Sequence, residues 1–229
     1  MFSLNTTIKN PFLTATISTQ GAELQSLIDS EGANYLWNGD AKYWNERAPI
    51  LFPIVGKLKG NKYTFNGKTY SMIQHGFARA MTFKIAQKGD SYVSYVLSSD
   101  ELTLSMYPFH FLLQVSYVLT GPTLSVMYQV TNQDQQTMYF TIGAHPGFTC
   151  PYYETNEFEA YSIVFEQLED ASFLLENNDL LLSRKATSFK GEAMPINAYT
   201  FTGGSLILSN LKSKHVYLQT THKDKKIRL

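Results

Sequence analysis

Apolar and polar residues alternate with a period of two along most of this 229-residue chain. Successive side chains of a β-strand point to opposite faces of a sheet, so this period is typical of half-buried strands. The clearest runs cover residues 13–17, 81–85, 92–97, 111–119 and 124–130. Helical periodicity is scarce, and one short helical turn is expected after Ser99-Asp100-Glu101. The pattern predicts an all-β protein of antiparallel sheets, arranged as a sandwich or a barrel-like assembly.

Turn signals divide these runs into hairpins. Asn66-Gly67, between two short strand-like runs, is the strongest hairpin signal, and Gly121-Pro122 predicts a second hairpin. A further hairpin is expected over residues 174–182, and residues 225–229 are strand-like. There is no internal repeat, low-complexity tract or linker, so we expect a single domain over residues 1–229.

Composition narrows the class of protein. The hydrophobic fraction of 44% is enough for a sizeable core. The 19 basic and 19 acidic residues cancel, so no basic field attracts nucleic acid. The N-terminus has no secretory pattern and no apolar run approaches membrane-spanning length, which predicts a soluble, cytoplasmic protein without membrane partners. The one cysteine, Cys150, cannot form an intrachain disulfide, and a small buried residue is favoured over a catalytic thiol.

Two histidines occupy constrained positions. His145 follows a strand-like run, and Pro146 and Gly147 stop that strand directly after it. His75 precedes Gly76, which can adopt positive φ or let the backbone approach a ligand closely. An imidazole held at a strand end can exchange protons with a bound ligand near neutral pH. A purely structural role is the alternative for each ring.

Two arginines accompany these histidines. Arg79 closes the segment Gln74-His-Gly-Phe-Ala-Arg79, where it forms a polar patch with His75 and an aromatic residue. Arg47 stands ahead of a run broken by two prolines and a glycine, and its planar fork of donors suits pairs of hydroxyl groups. The alternative for Arg47 is an ion pair with Glu46 or another acid.

Metal and serine-nucleophile chemistry are disfavoured. The histidines lack the tight spacing of metal ligands, and no acidic residue adjoins His75 or His145, so no metal is expected. No Gly-x-Ser-x-Gly elbow is present, and no cofactor is expected. His110 lies on an apolar stretch and is expected to be structural, whereas His215 and His222 sit among lysines and are expected to face solvent.

Three motifs in order resemble those of the galactose-mutarotase-like superfamily, in the LacX-type branch of aldose 1-epimerase-related proteins. The motifs are Arg47-Ala-Pro-Ile-Leu-Phe-Pro-Ile-Val-Gly56, Gln74-His-Gly-Phe-Ala-Arg79 and Ile142-Gly-Ala-His-Pro-Gly-Phe148. Tyr63-Thr-Phe-Asn-Gly-Lys68 and Tyr107-Pro-Phe109 add to the resemblance, which extends to about Leu218. The resemblance implies a β-supersandwich and an isomerase that interconverts the α and β anomers of a hexose or related sugar.

The resemblance also implies roles for individual residues. In such enzymes a carboxylate removes the proton of the anomeric hydroxyl while a histidine protonates the ring oxygen. The ring opens, the C1–C2 bond rotates, and reclosure gives the other anomer. By motif, His145 is the catalytic general acid, and His75, also catalytic, steadies the ring-oxygen region. Arg47 and Arg79 are the implied substrate-binding residues, and a monosaccharide is the implied ligand.

The chain departs from the family pattern at two points. Gly204 stands where this branch usually carries an aspartate ahead of an apolar strand. The family's base, a glutamate in a Glu-Pro-Trp-like segment near the C-terminus, has no counterpart within residues 1–229, so the base is unassigned and the last strands of the fold are expected to be missing. Glu154, Glu157 and Glu159 follow His145 closely, and a solvated acidic loop is the favoured interpretation.

These departures leave two alternatives to an active epimerase. One is a carbohydrate-binding or sensing module on the same fold, with little or no turnover. The other is a shortened chain that needs a partner strand to fold, since residues 225–229 end within a strand-like run.

Overall fold

The computed structural model describes residues 4–151, 158–177, 180–202, 205–220 and 226–229, with backbone only for 172–177, 180–188 and 226. The chain divides into two compact units, Met1–Thr149 and Cys150–Leu229, which are described separately. Both units consist mainly of antiparallel strands, so the predicted all-β class is confirmed. The longest helix among the described residues has six residues, and none there is long and apolar enough to cross a membrane.

The first unit contains eleven of the described strands and one short α-helix. The strands are β1 (Asn5–Lys9), β2 (Leu13–Ser18), β3 (Leu24–Asp29), β4 (Ile50–Leu51), β5 (Lys62–Phe65), β6 (Lys68–Ser71), β7 (Lys84–Lys88), β8 (Tyr92–Ser98), β9 (Phe111–Thr120), β10 (Thr123–Asn132) and β11 (Gly143–Ala144). The helix is α1 (Glu101–Met106), and 3₁₀ turns cover Lys59–Asn61 and Ala78–Ala80. The sheets have the orders β1-β2-β3, β10-β9-β8-β7, β5-β6 and β11-β4.

Strand β9 shows how the alternating pattern builds the core. Its five apolar residues at alternate positions from Phe111 to Leu119 are buried, whereas the residues between them, of which two are polar and two are apolar, are only half-buried. The buried set is Phe111, Leu113, Val115, Tyr117 and Leu119. Burying each such side chain contributes about 1.5–3 kcal/mol, which fixes the face that β9 turns inward. β9 pairs with β8 on one side and β10 on the other, and therefore holds the centre of its sheet.

Two buried tyrosines link this sheet to β2 and to the turn between β2 and β3. The Tyr95 hydroxyl donates to the carbonyl of Ile17 at 3.3 Å, and the Tyr117 hydroxyl donates to the carbonyl of Ala22 at 2.6 Å. Burial raises the pKa of Tyr117 well above its ordinary value. Each buried hydroxyl thus has a partner, and the pairs fix how the sheets face each other.

The predicted turns are present. Asn66 and Gly67 both have positive φ, 48° and 76°, and join β5 to β6 in the geometry of a type I′ hairpin. Gly121 joins β9 to β10 with φ 53°. Asp100 caps the N-terminus of helix α1, and its carboxylate accepts from the Thr103 amide at 2.8 Å. The Thr103 hydroxyl in turn accepts from the Asp100 amide at 2.8 Å, which completes a capping box.

The second unit is one antiparallel sheet. Its described strands are β12 (Tyr161–Asn177), β13 (Leu180–Pro195), β14 (Ile207–Ser209), β15 (Val216–Thr220) and β16 (Lys226–Arg228), preceded by a 3₁₀ turn at Phe158–Ala160. The order is β13-β12-β15-β16, with β14 also paired to β12. The hairpin predicted over residues 174–182 is confirmed by the pairing of Asn177 with Leu180, and residues 178–179 lie outside the described part.

A buried carboxylate organises one loop of this sheet. Glu169 follows a register shift in β12, and its oxygens accept from the amide of Lys212 at 2.9 Å and of Ser213 at 2.6 Å. Glu166 accepts from the next amide, that of Lys214, at 3.0 Å. The amides of Lys212 and Ser213, together with the Ser213 hydroxyl, lower the pKa of Glu169 below its ordinary value. The two carboxylates therefore hold the loop ahead of β15 through three consecutive N–H groups.

Candidate functional site

Three segments of the first unit meet around one pocket of about 200 Å³. They are the run ahead of β4, the run from the end of β6 through the 3₁₀ turn at Ala78–Ala80, and the end of β11. The lining residues are Trp44, Glu46, Pro49, Gln74, His75, Arg79 and His145. The structure thus brings together His75, His145 and Arg79, three of the four site residues predicted from the sequence.

His145 lies directly after β11, where the sequence placed it. β11 pairs with β4 through Gly143 and Ala144, and the His145 amide donates to the carbonyl of Pro49 at 3.2 Å. These backbone bonds fix the Cα position while the side chain remains exposed. The imidazole meets the indole of Trp44 edge to face, with ring centroids 5.0 Å apart. The His145 imidazole therefore packs against the Trp44 ring on one side and lines the pocket with the rest of its surface.

Gly147 lets the loop after His145 lie against two tryptophans. Its amide donates to the carbonyl of Arg47 at 2.7 Å, and its carbonyl accepts from the amide of Trp37 at 2.8 Å. A Cβ atom at this position would stand 2.9 Å from the Trp44 ring and 3.0 Å from Trp37 Cβ. Only glycine permits that approach without displacing the ring against which His145 packs.

His75 is held by a reciprocal pair of bonds with Gly56. The His75 amide donates to the Gly56 carbonyl at 2.7 Å, and the Gly56 amide donates to His75 Nδ1 at 3.0 Å. Because Nδ1 accepts a hydrogen bond, the neutral ring carries its proton on Nε2. The rings of His75 and His145 have centroids 5.8 Å apart. His75 also adopts φ 66°, an uncommon backbone conformation outside glycine.

Gly76 has both properties expected of it, but it approaches backbone rather than a ligand. Its φ is 72°, and a Cβ atom would stand 2.2 Å from the carbonyl oxygen of Phe52. That same oxygen accepts from the amides of Phe77 at 3.0 Å and Ala78 at 3.1 Å. The contact joins the end of β4 to the 3₁₀ turn that carries Arg79.

Arg79 forms the ion pair of the pocket. Its Nη1 lies 2.9 Å from Glu46 Oε2, and its Nη2 donates to the carbonyl of Gln74 at 3.2 Å. The two charged side chains are 24% and 27% exposed, so the pair is partly shielded yet reachable from the pocket. Glu46, considered from the sequence as a partner for Arg47, pairs instead with an arginine 33 positions away.

Arg47 is placed differently from the other three residues. Its guanidinium donates to Gln25 Oε1 at 3.0 Å and to the carbonyl of Asn38 at 2.6 Å, and it lies against Gly39. Its amide donates to Glu23 Oε1 at 2.7 Å. Among the described residues it does not line the pocket, although its carbonyl holds Gly147. Direct binding of sugar by Arg47 stays a prediction.

Four lining residues were not predicted as site residues: Trp44, Glu46, Pro49 and Gln74. Trp44, Glu46 and Pro49 flank Arg47, and Gln74 precedes His75, so adjacency to the recognised motifs was the available signal. Which of these neighbours faces the pocket depends on loop conformation, and the loop residues between strands follow no simple period.

The remaining candidates lie elsewhere. His110 is exposed, and its Nδ1 lies 3.3 Å from the Ser99 hydroxyl. Burial raises the pKa of the Cys150 thiol to about 11, which disfavours a thiolate nucleophile. Within the described ranges, no group of three or more His, Cys, Asp or Glu residues is arranged to hold a metal ion. Glu154, Glu157, Gly204 and His222 lie outside the described residues, whereas Glu159 belongs to the 3₁₀ turn before β12.

The fold and the histidine-containing pocket define a galactose-mutarotase-like protein, and comparisons with known proteins agree. The family model for Aldose 1-epimerase matches residues 5–229, and the chain belongs to that family. It is 32% identical to Protein LacX of Lactococcus lactis subsp. lactis, in both its plasmid and its chromosomal form, over 97% of this chain and 78% of the relative.

Solved structures show the same fold. A galactose mutarotase related enzyme from Lactobacillus acidophilus superposes with a TM-score of 0.91 at 28% identity, over 98% of this chain and 76% of that one. A galactose mutarotase-like protein from Lactobacillus casei ATCC 334 gives a TM-score of 0.88 at 35% identity, over 98% and 78% of the two chains. The resemblance inferred from the three motifs is therefore confirmed.

Proposed function

We propose that this chain is a sugar epimerase of the mutarotase type, which interconverts the α and β anomers of a hexose or related aldose by acid–base ring opening. The observation that carries the proposal is the meeting of His75 and His145, 5.8 Å apart, in a pocket that also contains Arg79 and Glu46. Membership of the Aldose 1-epimerase family supports sugar epimerisation as the general activity.

In this proposal His145 is the general acid. Its backbone is fixed by the β4–β11 pairing, and its imidazole is exposed beside the pocket. Imidazole can donate a proton near neutral pH, as protonation of a sugar ring oxygen requires. The edge of the Trp44 ring limits how far the His145 ring can turn, which favours a single approach to the ligand.

His75 and the arginines bind the sugar. Gly56 occupies His75 Nδ1, so the neutral ring donates from Nε2 to an oxygen near the reacting centre. Arg79 offers donors to hydroxyl groups from the wall of the pocket. Arg47 retains donors beyond the two already used, and its carbonyl supports the loop of His145 through Gly147. The general base is not assigned to a residue of this chain.

Polarimetry of freshly dissolved anomers tests the activity. We expect the protein to accelerate mutarotation of at least one common aldose, and His145→Asn to reduce the acceleration by about 10²–10⁴-fold, the usual contribution of an acid–base group. His110→Asn is the matched control, because that histidine is exposed and does not line the pocket. An unchanged spontaneous rate across the common aldoses would contradict the proposal.

A second candidate is a carbohydrate-binding or sensing module with little turnover. The pairing of Glu46 with Arg79 favours it, because the carboxylate that lines the described pocket is held by a cation and does not serve there as a general base. Calorimetric sugar binding without faster mutarotation would identify this function. Binding with acceleration would identify the epimerase.

A further inference from the structure

We propose that Glu46 is the hydroxyl acceptor of the pocket and that, with Arg79 beside it, it selects sugars by two neighbouring hydroxyl groups. The inference rests on the proposed function for its ligand class, a monosaccharide. It adds a specificity-determining residue that the motifs of the sequence did not indicate.

The chemistry of the pair matches that of a vicinal diol. An ionised carboxylate only accepts hydrogen bonds, whereas a guanidinium only donates them. A sugar hydroxyl can do both, so one hydroxyl can donate to Glu46 while its neighbour accepts from Arg79. Glu46 Oε2 and Arg79 Nη1 are 2.9 Å apart, which places an acceptor and a donor side by side in the wall of the pocket.

Glu46 has an oxygen to offer. The contact with Arg79 uses Oε2, and Oε1 has no hydrogen-bond donor among the residues that the structure describes. The side chain is 27% exposed, which is enough for a ligand in the pocket to reach it. Among the described lining residues Glu46 supplies the one carboxylate, and hydrogen bonds to charged acceptors are stronger than those between neutral groups.

Both members of the pair are held in place before a ligand arrives. Arg79 belongs to the 3₁₀ turn anchored on the Phe52 carbonyl, and its Nη2 is fixed by the carbonyl of Gln74. Glu46 immediately precedes Arg47, whose amide is held by Glu23. Such preorganisation lowers the entropic cost of binding and makes recognition depend on the position of the hydroxyls.

The experiment measures the binding of a hexose and its single-deoxy analogues by calorimetry, with wild type and Glu46→Gln. We expect Glu46→Gln to weaken binding of the parent hexose by about 10- to 100-fold. For one deoxy analogue, which lacks the hydroxyl facing Glu46, the two proteins should bind equally within about twofold. The losses of affinity from Glu46→Gln and from removal of that hydroxyl would then not add, which assigns the contact of Glu46 to that one hydroxyl.

Two further variants separate recognition from structure. Glu101→Gln is the control, since this acid lies in the first turn of α1 and does not line the pocket. Glu46→Asp keeps the charge with a shorter reach, and serves if Glu46→Gln fails to show a cooperative thermal transition. It should likewise lose affinity for the parent hexose and none for the same deoxy analogue.

The possible outcomes distinguish the two proposals. If Glu46→Gln weakens all analogues by the same factor, or weakens none, Glu46 does not recognise a hydroxyl and the inference is overturned, even if mutarotation is accelerated. If one analogue escapes the effect while wild type leaves mutarotation unchanged, the inference stands and turnover is rejected. An absence of binding to every sugar overturns both.

Discussion

Replacing Gly76 with alanine tests whether the contact between the His75 segment and β4 fixes the candidate site. Gly76 has φ 72°, and its Cβ would stand 2.2 Å from the Phe52 carbonyl oxygen, a backbone atom that no side-chain rotation can move. The substitution therefore forces the two backbones apart. Because that carbonyl accepts from the amides of Phe77 and Ala78, both hydrogen bonds lengthen with it.

The cost has two parts. A non-glycine residue in the left-handed region costs about 1–2 kcal/mol, and each of two weakened hydrogen bonds costs about 0.5–1.5 kcal/mol. The free energy of unfolding should therefore fall by roughly 2–5 kcal/mol, a large share of the usual total of about 5–15 kcal/mol. For a chain of this size that corresponds to a fall in Tm of roughly 4–20 °C.

Gly67→Ala is the matched control. Gly67 has nearly the same φ, 76°, but a Cβ atom there meets nothing within 4 Å, so it should lose only the conformational part, about 1–2 kcal/mol. Differential scanning calorimetry of both variants gives the comparison. If Gly76→Ala costs no more than Gly67→Ala, the close approach to Phe52 does not constrain the fold and the reasoning is refuted.

Three further predictions concern the site and the second unit. Gly147→Ala should press on Trp44 and shift His145, lowering any mutarotase activity by about 10- to 100-fold with little loss of Tm, as polarimetry and calorimetry together can show. Glu169 has a lowered pKa in the folded state, so its contribution to stability is complete above the unfolded pKa of about 4.3 and is lost as the pH falls through the folded value. Glu169→Gln should therefore be less stable than wild type at pH 7, and its Tm should fall less steeply between pH 5 and pH 2, roughly the range around the carboxyl pKa. An unchanged slope would contradict a stabilising role for the Glu169 hydrogen bonds to Lys212 and Ser213. Cys150, whose thiol pKa is raised to about 11, should react with iodoacetamide at pH 8 far more slowly than free cysteine, and equal rates would show that the thiol is accessible and ionised.

Much of the fold could be predicted because its signals are local. The alternation in residues 111–119 predicts which face of β9 is buried, and Asn66-Gly67 predicts the hairpin between β5 and β6. The capping residue Asp100 predicts the start of α1. Each of these depends on neighbouring residues in the chain, and tertiary packing did not override them.

The candidate site was only partly predictable. Motifs placed His75, His145 and Arg79 in one cleft, and the structure brings them together. The motifs did not show that the Arg47 guanidinium donates hydrogen bonds to Gln25 and Asn38, because those residues lie 22 and 9 positions away in the chain. A long side chain bonds to whichever groups lie near it in the folded protein, and the spacing of residues along the sequence does not give those distances.

The sequence by itself determined the strands of its regular runs at residues 13–17, 92–97, 111–119 and 124–130, the hairpin turns, and the identity of the histidines that carry the family resemblance. The run at 81–85 was placed too early, because β7 covers Lys84–Lys88. The tertiary structure decided which polar groups meet. Pairing of β4 with β11 brings His145 beside Trp44, and the approach of Gly76 to Phe52 positions the turn of Arg79 next to Glu46. The physical reason is that strand periodicity is a property of adjacent residues, whereas a pocket is made by segments that become neighbours only when the sheets pair and pack.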